Sequence, residues 1–208
     1  MEWVYIKDLK NYVERDVELR GWVRRKRSSG KISFIEMRDG SGFVQVVIEK
    51  STVGDDNFAQ ADKLRLESSL IVRGKVRKDE RAPNGVEILA NEVIPVQIPS
   101  EDFPIQKPDH SIEYLMDHRH LWLRAKRQFH VLRIRDAVMK AIRKFYWERD
   151  FVQVDTPIFT GAIGESAGNL FEIDYFDYGK VYLAQTGQLY LEAACMALGK
   201  VFNLGPTF

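Results

Sequence analysis

The chain has 208 residues, with 31 Lys and Arg against 30 Asp and Glu, a formal net charge of +1. That length allows one large domain or two modest ones, and 45% hydrophobic with 29% charged residues describes a globular protein with a core. The composition excludes an intrachain disulfide framework and a cysteine-built zinc site, because Cys195 is alone, and a histone-like binder, although local basic patches stay open.

The start, Met1-Glu2-Trp3-Val4-Tyr5, lacks the basic and apolar regions of a secretory signal. No apolar run approaches the ~20 residues that span a bilayer. With one cysteine as well, a cytoplasmic protein without membrane association is expected. Short apolar runs then alternate with turn residues up to about residue 100. Residues 17–23, 32–38, 43–48, 69–77 and 86–93 read as five strands. Asp39-Gly40-Ser41-Gly42 and Asn84-Gly85 supply two turns, and residues 56–67 read as a short helix. Five strands with a helix between the third and fourth match the element order of an OB-fold barrel, although other small barrels share the strand count.

Residues 94–108 hold four of the seven prolines (Pro95, Pro99, Pro104 and Pro108) and predict a stiff, extended connector. Beyond it the period changes. Val131, Ile134, Val138, Ala141, Ile142 and Phe145 recur at three- and four-residue spacing, which predicts an amphipathic helix over 126–149. Its other face is basic: residues 119–149 carry ten Lys or Arg against Asp136 and Glu148. A strand at 151–155 halted by Thr156-Pro157, apolar runs at 170–173 and 181–184, a helix at 188–198 and a strand at 201–204 give this half an α/β character.

Three stretches could carry chemistry. In the barrel, Arg24-Arg25-Lys26-Arg27 are expected at the mouth of the first hairpin, where cations meet phosphates. Phe34 alternates against Ile35 and Met37, so a core on the latter face leaves its ring free to stack on a base, worth roughly 1–3 kcal/mol. Gln45 falls on the face away from Val44, Val46 and Ile48 and offers a donor and an acceptor to a base edge. A solvated hairpin tip and a Phe covering a neighbouring loop explain the same residues. The small-residue loop from Gly161 to Gly168 carries Glu165, which could hold an ammonium group or sit in a plain connector. Gln185-Thr186-Gly187-Gln188 could read a substrate or simply start a helix. His110, His118, His120 and His130 cluster among cations with no carboxylate or cysteine at ligand spacing, so no metal site is expected.

Taken together, these stretches resemble one family in family order. They include Gly21-Trp22-Val23-Arg24-Arg25-Lys26-Arg27, Phe34-Ile35-Glu36-Met37-Arg38-Asp39, Val44-Gln45-Val46-Val47, Arg119-His120-Leu121-Trp122-Leu123-Arg124, residues 151–157, residues 186–192 and Gly205-Pro206-Thr207-Phe208. The chain resembles the N-terminal half of an asparaginyl-tRNA synthetase, in the class II group shared with aspartyl- and lysyl-tRNA synthetases. The resemblance implies an OB-fold anticodon-binding domain over 1–94, a Pro-rich hinge over 95–118, and the start of an α/β class II catalytic domain, an antiparallel sheet with helices, over 119–208. It implies that Phe34 stacks on the middle anticodon base, that Arg27 and Gln45 contact the same stem-loop, that Glu87 reads the first anticodon base, and that the Arg119 region meets the tRNA. The long helix and the strand ending at Pro157 correspond to the family's motif 1, which builds a homodimer interface. Residues matching Glu165 and Gln188 hold the amino acid's ammonium group in the family; Ser166 stands where the family usually has glycine.

The resemblance also favours asparagine over aspartate. Aspartyl enzymes supply a lysine three residues after the glutamine matching Gln188, and here that position is Leu191, followed by Glu192. A second carboxylate beside an apolar residue and an acid is strongly disfavoured, whereas a neutral amide is not. The family uses ATP and Mg2+ to activate asparagine and transfers it to tRNA-Asn. The sequence given stops where motif 2 should deliver its arginine and glutamate, so this stretch is expected to hold no catalytic residue and to be inactive alone. An aspartyl-tRNA synthetase, including one that also charges tRNA-Asn, and a truncated RNA-binding protein without catalysis are the competing readings.

Overall fold

Alternating burial along the first half closes its strands into a barrel. A computed structural model describes residues 1–82, 84–106, 110–161 and 170–208, and the chain divides into two units, Met1–Ile112 and Glu113–Phe208. In the first unit, β1 (Glu2–Trp3) lies parallel to the start of β2 (Asp16–Ser29), with a 3-10 turn, Ile6–Tyr12, between them. Strands β3 (Ile32–Arg38) and β4 (Phe43–Glu49) follow, then the short helices α1 (Lys50–Val53) and α2 (Asp55–Asp62), then β5 (Ser69–Lys78) and β6 (Val86–Gln97). The strand order is β1-β2-β3-β4-β6-β5, and β2 also pairs with β5, which closes the sheet. Apart from the short β1–β2 contact, all pairings in this sheet are antiparallel except β4 with β6. The expected five-strand OB barrel is therefore present.

The side chains of Leu19, Ile35, Met37, Val46, Leu70, Val72 and Ile88 fill the interior and are fully or almost fully buried. Ala61 and Leu64 cap one end of this core, and Ile6 and Leu9 join it from the 3-10 turn. The β3–β4 turn is held by Asp39, whose Oδ1 accepts from Ser41 N at 2.8 Å and Gly42 N at 3.1 Å. Its Oδ2 accepts from Ile6 N at 2.7 Å, tying the 3-10 turn to the hairpin. Gly74 marks a close strand approach: a Cβ there would lie 2.2 Å from the Leu89 carbonyl oxygen.

Several boundaries move. The expected helix over 56–67 starts at Asp55 and ends early, at Asp62; a separate short helix, α1, precedes it, with Gly54 at φ 81° between the two. The first strand continues through Ser29, so Arg24–Arg27 lie within a strand rather than at the hairpin mouth; the turn falls at Gly30, φ 61°. The last strand runs to Gln97 and takes Pro95 from the expected connector into the sheet. A register shift between Ser69 and Leu70 accommodates that proline, which has no N–H to donate.

The second unit contains α3 (Ile112–Asp117, beginning at the last residue of the first unit), α4 (Arg119–Trp122), and the long α5 (Lys126–Trp147). Strands β7 (Val152–Gln153), β8 (Phe159–Thr160), β9 (Glu172–Asp174) and β10 (Lys180–Leu183) lead to α6 (Gln188–Leu198) and β11 (Val201–Phe202). β8, β10 and β9 form an antiparallel sheet, whereas β7 pairs in parallel with β11, a pairing that sequence reading missed. Tyr146 stacks on Phe202 with ring centroids 4.6 Å apart and meets Phe151 edge-on, pinning the end of α5 to this strand pair. Val131, Ile134, Val138 and Phe145 on α5 remain at least half exposed, so the predicted apolar face is not core within the chain. No helix among the described residues is long and apolar enough to cross a membrane.

Glu18 staples the barrel closure. It is 5% exposed, and its carboxylate accepts from Arg20 Nε at 2.8 Å and Arg73 Nε at 2.9 Å, while Arg73 Nη1 reaches Glu92 at 3.0 Å. The bonds from Arg20 and Arg73 hold its carboxyl below the usual carboxylate range. Both arginines bind the ionised form, so this stabilisation is fully present above the ordinary carboxylate range and is lost as pH falls through the lowered folded value. Thermal melts taken from neutral pH down to about pH 3 should show wild type losing stability more steeply than Glu18→Gln.

Candidate nucleic-acid interface

A β-bulge determines which cations face outward. Before it, Val17, Leu19, Gly21 and Val23 point inward and Arg20 and Trp22 outward. The β2–β3 register shifts between Val23 and Arg25, after which Arg25 stands opposite Glu36 and Arg27 opposite Phe34. The shift places Arg25 and Arg27 on the outer, exposed side. Lys26 instead turns to the end of α2, where its Nζ hydrogen-bonds the Asp62 carbonyl and lies 3.6 Å from the Asp62 carboxylate. Arg24 pairs with Glu36. The basic run therefore divides: Arg24 and Lys26 are engaged by the barrel, and Arg25 and Arg27 lie on its exposed side.

The register aligns a transverse row of outward residues: Arg25 on β2, Glu36 on β3, Gln45 on β4, Glu87 on β6 and Arg77 on β5. Phe34 and Arg27 lie one step along it. The Arg27 guanidinium stacks over the Phe34 ring at 4.6 Å, and its Nη2 donates to Gln45 Oε1 at 3.4 Å. Gln45 Nε2 donates to Glu87 Oε2 at 2.9 Å. Glu87 Oε1 accepts from Arg77 Nε at 3.0 Å and Nη2 at 2.5 Å. Arg27, Phe34, Gln45 and Glu87, separated by up to 60 residues in sequence, thus form one chain of contacts. Phe34 is half-buried with Ile35 and Met37 fully buried, as the alternation predicts. Glu87 is only 2% exposed, and its hydrogen bonds hold the Arg77 guanidinium more firmly protonated.

Sequence reading placed Arg77 at the end of the strand over 69–77 without connecting it to Glu87. That connection depends on a register between β5 and β6 that no local pattern encodes. Arg25 was hidden within its basic run by the bulge.

In the second unit, Gln188 opens α6. Its N–H donates to Thr186 Oγ1 at 3.1 Å and its Nε2 to Glu192 Oε1 at 3.0 Å, one turn on. Gln188, Leu191 and Glu192 line an open groove with Thr186 and Asn203. Glu165 and most of its small-residue loop lie outside the described residues. Arg119 is exposed at the start of α4, and Pro157 is exposed between β7 and β8. Among the described residues, no three His, Cys, Asp or Glu side chains come together as a metal site.

Residues 17–96 match the OB-fold nucleic acid binding domain, and residues 111–208 match the tRNA synthetases class II (D, K and N). The asparagine–tRNA ligase of Thermus thermophilus is 46% identical over 99% of this chain and 47% of its own length. That of Symbiobacterium thermophilum is 48% identical over 100% of this chain and 47% of its own. The crystal structure of the Pyrococcus horikoshii asparaginyl-tRNA synthetase, complexed with asparaginyl-adenylate, superposes with a TM-score of 0.86 at 37% identity, covering 100% of this chain and 48% of that one. The chain spans about half the length of the relatives it matches. Residues 111–208 thus carry a class II tRNA synthetase (D, K and N) domain behind an OB-fold nucleic acid binding domain, and the chain is homologous along its whole length to asparagine–tRNA ligases.

Proposed function

We propose that this chain is part of a cytoplasmic asparagine–tRNA ligase: its barrel reads the anticodon of tRNA-Asn, and its second unit contributes to the asparagine pocket and a homodimer interface. The observation that carries this reading is the contact chain Phe34–Arg27–Gln45–Glu87 on an OB barrel. An aromatic face, a fork of cationic donors, an amide and a carboxylate lie side by side, the combination that grips an unpaired base and tests its edge. In this reading Phe34 stacks on the middle base, Arg27 and Gln45 contact the loop, and Glu87 accepts from the first base. Arg119 meets the tRNA near the hinge.

The reaction is activation followed by transfer. Asparagine's carboxylate attacks the α-phosphorus of ATP, forming a P–O bond as pyrophosphate leaves. The 3′-terminal ribose hydroxyl of tRNA then takes the asparaginyl group and AMP departs. Mg2+ would neutralise phosphate charge, although the described residues offer no cluster of three or more His, Cys, Asp or Glu to hold it. Gln188, with Glu165 of the preceding loop, orients the substrate's ammonium group. The bond from Gln188 Nε2 to Glu192 leaves the Gln188 amide oxygen to accept an N–H. Leu191 supplies no cation for a second carboxylate, which favours asparagine over aspartate.

Phe34→Ala should weaken tRNA-Asn binding roughly 5- to 150-fold, the loss of one base stack of about 1–3 kcal/mol. Filter binding at fixed salt reads this, and an unchanged affinity would show that the RNA surface lies elsewhere. In a chain of the relatives' full length, pyrophosphate exchange should depend on asparagine. Exchange driven by aspartate instead would overturn the assignment, and Leu191→Lys should shift preference toward aspartate. Ile134→Asp on α5 should convert a dimer into a monomer in sedimentation velocity while the barrel's melting transition stays in place.

A further inference from the structure

Arg77 lies on the outer face of β5, opposite Glu87 in the β5–β6 register. Both of its contacting nitrogens reach the same oxygen, Glu87 Oε1, leaving Oε2 to the Gln45 amide. Glu87 is nearly inaccessible to water, so its oxygens take donors from the protein in place of the lost hydration. An amide can present either end, whereas an ionised carboxylate only accepts. Gln45 must therefore turn its NH2 to Glu87, and its oxygen then faces Arg27, as the 3.4 Å contact records. The order of dependence runs from Arg77 through Glu87 to Gln45.

We propose that Arg77 is a positioning residue for base discrimination: it holds the Glu87 carboxylate turned, and through Glu87 fixes which end of the Gln45 amide an incoming base meets. The proposal rests on the barrel being an anticodon reader. An acceptor-only carboxylate favours a base edge with adjacent donors, such as N1–H and N2–H of guanine, and disfavours adenine, whose N1 is an acceptor. Without its guanidinium partner the Glu87 carboxylate loses the two contacts that fix its rotation, and its oxygens no longer meet the base edge in one orientation. The Gln45 amide also becomes free to flip. Arg77 need not touch the base for any of this.

The test measures binding of the 208-residue chain to two RNA hairpins, one with the anticodon GUU and one with adenine replacing its guanine. Fluorescence anisotropy reads the guanine preference for wild type, Arg77→Gln, Arg77→Lys, Glu87→Gln and the Arg77/Glu87 double variant. Arg77→Gln should lower the preference roughly tenfold. Lysine, which keeps the charge without the fork, should retain part of it, and the double variant should be no worse than Glu87→Gln alone. Equal weakening of both hairpins would mean a phosphate contact, and additive losses would mean independent roles; either overturns the proposal. If Arg77→Gln does not fold by circular dichroism, Arg77→Lys decides, and a preference equal to wild type sinks the idea. A wild-type chain that binds neither hairpin better than an unrelated one of equal charge would instead fail the anticodon reading itself.

Discussion

Strand β2 pairs with β3 along its second half and with β5 along its first, and every other feature of the barrel depends on that double duty. A single strand can serve two neighbours on different sides of a closed sheet only if it bends, and two devices permit the bend. At Gly21 a Cβ would lie 2.1 Å from the Arg38 carbonyl oxygen, so only glycine allows the approach. Three residues on, the bulge at Arg24 adds a residue to β2 and increases its twist. The bulge closes the barrel and also exchanges the inward and outward faces of the strand. Without it, simple alternation would send Arg25 and Arg27 inward with Val23. A geometric requirement of closure thereby brings Arg27 opposite Phe34.

Charge is handled differently at two buried carboxylates. Glu18 and Glu87 are each nearly inaccessible, and each is compensated by guanidinium groups from neighbouring positions or strands. Around Glu18 the donors are Arg20 and Arg73, and Arg73 extends the chain to Glu92, so charge is closed within the protein. Around Glu87, one oxygen meets the arginine and the other a neutral amide. An amide satisfies a carboxylate less strongly than a cation does, so Oε2 retains accepting power that a ligand's donors can use. Similar burial thus yields a closed staple in one place and, in the proposed reading, a base acceptor in the other.

The sequence carried the barrel because its signals were local. Period-two alternation assigned Ile35 and Met37 to the core, and the residues of the Asp39–Gly42 turn named the hairpin that Asp39 then tied down. Phe34 and Gln45 followed from the same alternation. What it could not carry was anything set between strands: the bulge that splits Arg24–Arg27 into two sets, the Arg77–Glu87 pairing, and the parallel partnership of β7 with β11. Pro95 misled because proline normally breaks a strand, and here a register shift absorbs its missing donor. The long helix was legible from its period, yet periodicity says only that one face is apolar, not what covers it.

The energetics of that uncovered face constrain the dimer proposed for it. Val131, Ile134, Val138 and Phe145 are each about half exposed or more, with exposures of 50, 64, 51 and 51%. Full burial of such a side chain contributes about 1.5–3 kcal/mol, so covering the remaining half of all four on both protomers yields roughly 6–12 kcal/mol. Association costs about 4–15 kcal/mol in lost translational and rotational freedom. The helix alone therefore falls within the range of that cost and leaves little surplus for a stable pair. Leu132, Trp147, Val152 and Ile158 are exposed to a similar degree, and the last two belong to the segment that carries β7 and Pro157. A dimer using both α5 and that segment would about double the apolar gain. In the proposed dimer, a helix and strand surface together would exceed that cost more readily than a helix pair.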